Sequence, residues 1–265
     1  MCIRDSLNID YLKGLNFLLN EQTDQAVEHF LKMVRVDNTT IETHFALGNL
    51  FRKRGEVNRA IRIHQNIIAR PDISDEQRDQ AFYSLAKDYY HAGLLDRAEV
   101  LFRRLSVDSL FQTQSLYSLT EIYEIEREWT KCINCAEKLS KVTRKSFDLQ
   151  ISHYLCELAE IAITNGDVKK SLKFISSAKK LKTMTLRTDL VKARCEKLEK
   201  SYTNAIKIYR DIIQNSAYLI TEALPELVDL HKQLTTLEEL NDFIKRLSQS
   251  NQKLSRDIGL SLIHI

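Results

Sequence analysis

The stretch IETHFALGNLFRKRGEVNRAIRIHQNII, residues 41–68, decides the fold of this chain. It reads as two amphipathic helices broken once, at Gly55. Leu47, Leu50 and Phe51 fall on one face of the first helix, and Ile61, Ile67 and Ile68 flank the small Ala60 in the second. Gly48 and Ala60 are the small residues expected where two helix backbones approach closely. Gly55 stands where a left-handed turn must end the first helix, a conformation Gly reaches without a Cβ clash. A step of 34 residues back from Gly48 reaches Gly14, and the same step back from Ala60 reaches Ala26.

A period of 34 with this small–aromatic–small spacing resembles the tetratricopeptide repeat. The resemblance implies an all-α solenoid of antiparallel helix pairs wound into a right-handed superhelix. About seven repeats fit, over 7–40, 41–74, 79–112, 113–146, 152–185, 186–219 and 221–248. Ala26, Ala60, Ala98, Cys132, Ser171 and Ala205 hold one recurring small position. Gly55, Gly93 and Gly166 hold the turn. From Ala60 to Ala98 the step is 38, so PDISDEQ (71–77) carries an insertion. Asp72, Ser74 and Asp75 in it are helix-start residues, and it is expected to lengthen the turn before the third repeat. A longer connection is expected around Lys141–Asp148, and Pro225 is placed in the first turn of its helix.

Composition agrees with helix throughout: the chain has two Pro and six Gly in 265 residues, and no stretch alternates like a strand. A net charge of +3 with no long basic stripe argues against a nucleic-acid partner. Five Cys (Cys2, Cys132, Cys135, Cys156, Cys195) form an odd set without a framework, as expected of reduced thiols on the cytosolic side. No run of 18 apolar residues reads as a membrane span. MCIRDS (1–6) and the closing LSLIHI read as non-native or disordered strings, of the kind that adapter sequence leaves in assembled reads. Residues 249–265 read as a truncated tail, and the array is expected to be cut short.

Little in the chain points to catalysis. Cys132-Ile-Asn-Cys135 could be a redox pair or half of a zinc or iron site. It lies inside an expected helix, however, and Cys132 takes the small-residue position. The seven His form no HExxH pair, and His64 replaces the usual aromatic of a second helix, where a half-buried packing role is expected. Glu121, Glu124 and Glu126 read as a solvated face. No phosphate loop, GxSxG or EF-hand loop occurs.

What the repeat resemblance does offer is a groove lined by first helices. Its groove positions fall here on Tyr11, Leu15, Leu18 and Leu19, then Phe45, Asn49, Arg52 and Lys53. The third repeat adds Tyr83, Lys87, Tyr90 and His91, and the fourth adds Tyr117, Glu121 and Glu124. Aromatic anchors beside Arg and Lys suit protein binding. The competing reading makes Tyr11, Phe45 and Tyr83 packing residues between repeats. Repeats that clamp an acidic C-terminus place Lys and Asn at two of these positions, and of that pair only Asn49 is present.

A closer resemblance rests on GLNFLL (14–19), LGNLFRKRGEVNRAIRIHQ (47–65) and DYYHAGLLDRAE (88–99). These are similar to the lipopolysaccharide assembly protein B family of Gram-negative bacteria, most closely over Asp10–Leu105 and onward to Leu139 through Glu128-Trp129. The resemblance implies an adaptor on the cytoplasmic face of the inner membrane. There it promotes degradation of the lipid A pathway deacetylase by a membrane-bound AAA+ protease. Family members carry one N-terminal transmembrane helix and a C-terminal rubredoxin-like domain that holds iron through two CxxC pairs. Neither pattern is in this sequence, so no cofactor is expected in the chain, and membrane association is expected only through such a helix. A homodimer is left open. The alternatives are a generic repeat scaffold or co-chaperone with other peptide partners and, from the CxxC alone, an enzyme or metal protein.

Overall fold

With Pro only at 71 and 225, nearly every segment can keep its i→i+4 ladder, and among the described residues no strand forms. The computed structural model describes residues 12–14, 16, 17, 20, 22–36, 41–181, 186–216 and 219–250. Helical residues at 12–14 and 16–17 precede α1 (Thr23–Val36). Then follow α2 (Ile41–Lys53), α3 (Val57–Ile68), α4 (Asp75–His91), α5 (Leu95–Leu105), α6 (Gln112–Ile125) and α7 (Trp129–Thr143). The series continues with α8 (Asp148–Thr164), α9 (Val168–Lys180), α10 (Leu186–Leu198), α11 (Tyr202–Asn215), α12 (Ile220–Gln233) and α13 (Leu237–Ser250). The chain forms a tetratricopeptide-type helical solenoid. It divides into two compact units, Met1–Arg127 with Lys141–Arg144, and Glu128–Ser140 with Lys145–Ile265.

Each unit buries its core in slices, because no single helix pair can cover its own apolar stripe. In the first unit, Ala26, Phe30, Leu47, Leu50, Phe51 and Ala60 make one slice, and Ile41, Phe45, Ile67, Ile73 and Ala81 the next. In the second unit, Cys156, Ala159, Ile175, Val191 and Cys195 make one slice, and Tyr209, Ile212, Leu224, Leu227 and Phe243 belong to a larger one. The recurring small position is fully buried throughout, at Ala26, Ala60, Ala98, Cys132, Ser171 and Ala205.

Turns repeat as closely as the core. After α2 the Glu56 amide donates to the Phe51 carbonyl (2.8 Å) and the Gly55 amide to the Arg52 carbonyl (3.0 Å), with Gly55 at φ +77°. This paired ending satisfies carbonyls that the helix leaves open. It recurs at Gly93, Gly166, Lys200 and Thr235, and Arg127 (φ +57°) takes the same left-handed position, so three repeats place a side chain where the expected turn residue is Gly.

Four sequence expectations are corrected here. The insertion before the third repeat lengthens the helix, not the turn. Ser74 Oγ accepts from the Gln77 amide (3.2 Å) while Gln77 Oε1 accepts from the Ser74 amide (3.1 Å), and this reciprocal cap starts α4 at Asp75. The helix runs 17 residues against 13 in α2. Next, α7 continues to Thr143, so the connection to α8 is short, and α8 begins at Asp148, ahead of the repeat boundary at 152. Pro225 lies beyond the first turn of α12, which starts at Ile220. Finally, what approaches Gly48 is a side chain: a Cβ there would lie 2.6 Å from Nε2 of His64. Gly14 is covered in the same way, its Cβ position 2.5 Å from Cζ of Phe30.

Candidate partner-binding surface

The first-helix surface of the first unit is built on α2, α4 and α6, and its lower layer is an ion network. Asp88 is fully buried, and its two oxygens meet Arg52 Nη1 at 2.7 Å and His64 Nδ1 at 2.5 Å. Arg52 also donates to the Ser84 carbonyl (3.2 Å) and to Asn49 Oδ1 (2.5 Å). Its side chain is only 11% exposed, so most of its hydrogen-bonding capacity is spent inside the protein. His64 is fully buried, not half-buried, with Nε2 turned toward Gly48.

Above this layer the aromatic and charged groups reach solvent. Tyr83 stacks on Phe111 (4.8 Å between centroids, 15°) and meets Phe102 edge-on at 5.8 Å. Burial pushes its phenol pKa up, against a hydrogen bond with Ser118. Lys87 places its ammonium 5.8 Å from the Tyr83 ring centroid. Burial first, and then the Arg52 charge, pull the Lys87 pKa down. Tyr90 bonds to Glu121 of α6, and burial together with that carboxylate raises its pKa. Tyr117 is 44% exposed on α6. A partly desolvated cation beside accessible phenols and one carboxylate can receive a side chain of a partner by charge-assisted hydrogen bonds and ring contact.

The expected groove residues therefore separate. Lys87, Tyr90, Tyr117 and Glu121 come together on one accessible surface, with Tyr83 half-buried beneath it. His91 and Lys53 are exposed. Phe45 is buried with Ile41 and Ile67 between repeats, 6.1 Å from the His64 ring, and Arg52 and Asn49 are tied to each other and to Asp88. Tyr11, Leu15, Leu18 and Leu19 lie outside the described residues. Asp88 was missed by sequence reasoning, although its chemical type stands out at a position where Leu50, Ile122 and Cys195 are buried apolar residues.

In the second unit the first-helix surface carries a ladder of ion pairs that the sequence did not reveal. Arg187 pairs with Glu157, Arg194 with Glu160 (3.4 Å) and Glu222 (3.8 Å), and Lys197 with Glu226 (2.8 Å) and Asp229 (2.6 Å). A cleft of about 650 Å³ lies among His153, Glu160, Arg187, Arg194 and Glu222, its charges matched within the chain. Cys132 and Cys135 are buried in α7, and burial lifts the Cys156 thiol to about 11. Among the described residues no three His, Cys, Asp or Glu side chains gather into a metal-holding group.

Comparison with known proteins places this architecture. The tetratricopeptide repeat profile matches residues 43–76. The solved structure of MamA protein overlays with a TM-score of 0.50 at 17% identity, covering 68% of this chain and 93% of that one, a likeness of fold alone. Lipopolysaccharide assembly protein B of Escherichia coli (strain K12) is 34% identical over 255 residues, 96% of this chain. The protein of the same name from Haemophilus influenzae is 33% identical over 93% of this chain. The chain spans 66% and 64% of the length of these two relatives. Similarity thus runs well past Leu139, where the recognisable motifs thin out, and the chain belongs to the lipopolysaccharide assembly protein B family.

Proposed function

We propose that this chain is the non-catalytic adaptor part of a regulator of lipopolysaccharide synthesis, acting by protein–protein contact. In this reading it brings the lipid A pathway deacetylase to a membrane-bound AAA+ protease at the cytoplasmic face of the inner membrane. The observation that carries it is the 34% identity maintained over 96% of the chain. The accessible cluster of Lys87, Tyr90 and Tyr117 supports it, since aromatic and cationic groups are the side chains that anchor partner proteins. Arg52 contributes by holding α2 against α4 through Asp88, not as an anchor. The clamp reading is not favoured, because the Asn49 amide oxygen already accepts from Arg52.

The test is a full-length protein carrying Lys87→Glu, Tyr90→Ala and Tyr117→Ala. With unchanged helicity and melting, the deacetylase should accumulate in cells, and binding of the deacetylase or the protease should weaken by roughly thirtyfold or more. Normal turnover in the folded variant removes this surface from the mechanism. The same reading assigns no metal to this chain. Stoichiometric zinc or iron in the purified protein, lost on Cys132→Ser, would overturn that assignment.

A further inference from the structure

The solvent face of α9 is made of lysine and serine alone. At 100° per residue, Lys169, Lys170, Lys173, Ser176, Ser177 and Lys180 share one sector about 120° wide, and all six are exposed. Ser171, Ile175 and Ala178 hold the opposite side in the core. The helix has five Lys and no Asp or Glu, more positive charge than the net +3 of the whole chain. Lys179 alone among the five pairs with a carboxylate, Asp189 at 2.8 Å, and it lies off this face.

Helix stability does not explain the arrangement. Lys169 and Lys170 sit in the first turn, where the helix dipole disfavours cations, and the Asp167 cap offsets this for one backbone amide only. Four like charges spread over about 16 Å also repel one another. From this face we infer that α9 rests on an anionic phospholipid bilayer surface, reinforcing membrane association beyond any anchoring helix. Lysine suits this partner: its compact, hydrated ammonium acts on a diffuse sheet of headgroup charge without directed geometry. The face offers no exposed aromatic ring for stacking bases and no arginine fork for bidentate phosphate or carboxylate contacts, so nucleic acid and acidic protein fit it less well.

The test is co-sedimentation of the 265-residue chain with phosphatidylcholine vesicles with and without phosphatidylglycerol. Binding should require the anionic lipid and fall as salt is raised. Each lysine contributes on the order of fivefold in partitioning, so Lys169→Glu, Lys170→Glu, Lys173→Glu and Lys180→Glu together should weaken it by several hundredfold or more. Arg62→Glu, Lys138→Glu, Lys207→Glu and Lys232→Glu, which change net charge equally at other exposed sites, should weaken it far less. Circular dichroism establishes that both variants keep their helices. Equal losses in the two variants, equal binding to neutral vesicles, or tighter capture by an oligonucleotide or polyglutamate than by anionic vesicles would each overturn the inference.

Discussion

His64 Nδ1 and Asp88 Oδ2 lie 2.5 Å apart with both side chains shut off from solvent, joining the second helix of one repeat to the first helix of the next. Arg52 takes the other carboxylate oxygen at 2.7 Å. A buried network of this kind adds little net stability when whole and costs much when cut, because the remaining charges lose both partner and water. Asp88→Ala should therefore lose about 3–5 kcal/mol in urea unfolding. Replacing the set by apolar groups (Arg52→Leu, His64→Phe, Asp88→Leu) should recover most of that loss. A triple variant less stable than Asp88→Ala would contradict this account.

Gly48 and His64 form the second contact with a sharp consequence. A methyl group on Gly48 would need the space that the His64 ring fills, so Gly48→Ala should cost about 1–3 kcal/mol. Asn58→Leu, on the exposed side of α3, should stay within about 0.5 kcal/mol. Adding His64→Ala to Gly48→Ala should cost less than the sum of the two single changes, since each relieves the other's crowding. Strict additivity would mean that the ring and the glycine do not compete for one space.

The 34-residue spacing made the repeats legible because it is written in small residues, whose sites in the core admit nothing larger. Ala26 with Ala60, Ala98 with Cys132, and Ser171 with Ala205 are pairs at that spacing, and all six are buried. The groove was less legible. Position within a repeat says which way a side chain starts, but the fate of Arg52 depends on Asp88, which lies 36 residues on. His64 and Asp88 are each an exception to the pattern, and only their juxtaposition gives them a joint meaning. Likewise, a reciprocal cap and an extended turn share the same residue types, so PDISDEQ reads in the sequence as a longer turn, whereas Ser74 and Gln77 bond each other and start α4.

Lys200 (φ +59°) and Thr235 (φ +57°) occupy the left-handed turn position that Gly55, Gly93 and Gly166 hold elsewhere. Non-glycine residues there cost about 1–3 kcal/mol, against about 0.5–1 kcal/mol of extra backbone entropy for glycine in the unfolded chain. Thr235→Gly, the β-branched case, should raise stability by about 1 kcal/mol, visible as a higher melting temperature. Gly55→Ala should lower stability by a similar amount, although a Cβ at Gly55 meets nothing within 4 Å. Opposite signs for changes at equivalent positions would be the signature of backbone strain alone.

His231 ties the end of α12 to the turn that follows it. Nδ1 bonds to Thr236, at 2.7 Å to Oγ1 and 3.0 Å to the carbonyl, and Nε2 lies 3.3 Å from Arg210 Nη2. Arg210 can only donate, so Nε2 accepts and the ring is neutral, with its proton on Nδ1. Burial first, and then the Arg210 charge, lower the His231 pKa from its ordinary 6.5, outweighing the bond to Thr236 and the Glu239 carboxylate. The unfolded chain therefore takes up this proton at a higher pH than the folded one. The stability His231 contributes is fully present above pH 6.5 and is lost as pH falls through the folded value. Thermal melts between neutral pH and about pH 5 should show the native chain losing more stability than His231→Gln, which has no titrating group at this site. Parallel losses in the two proteins would place the acid sensitivity elsewhere, in carboxylates such as Asp229, whose pKa the hydrogen bond from Lys197 lowers.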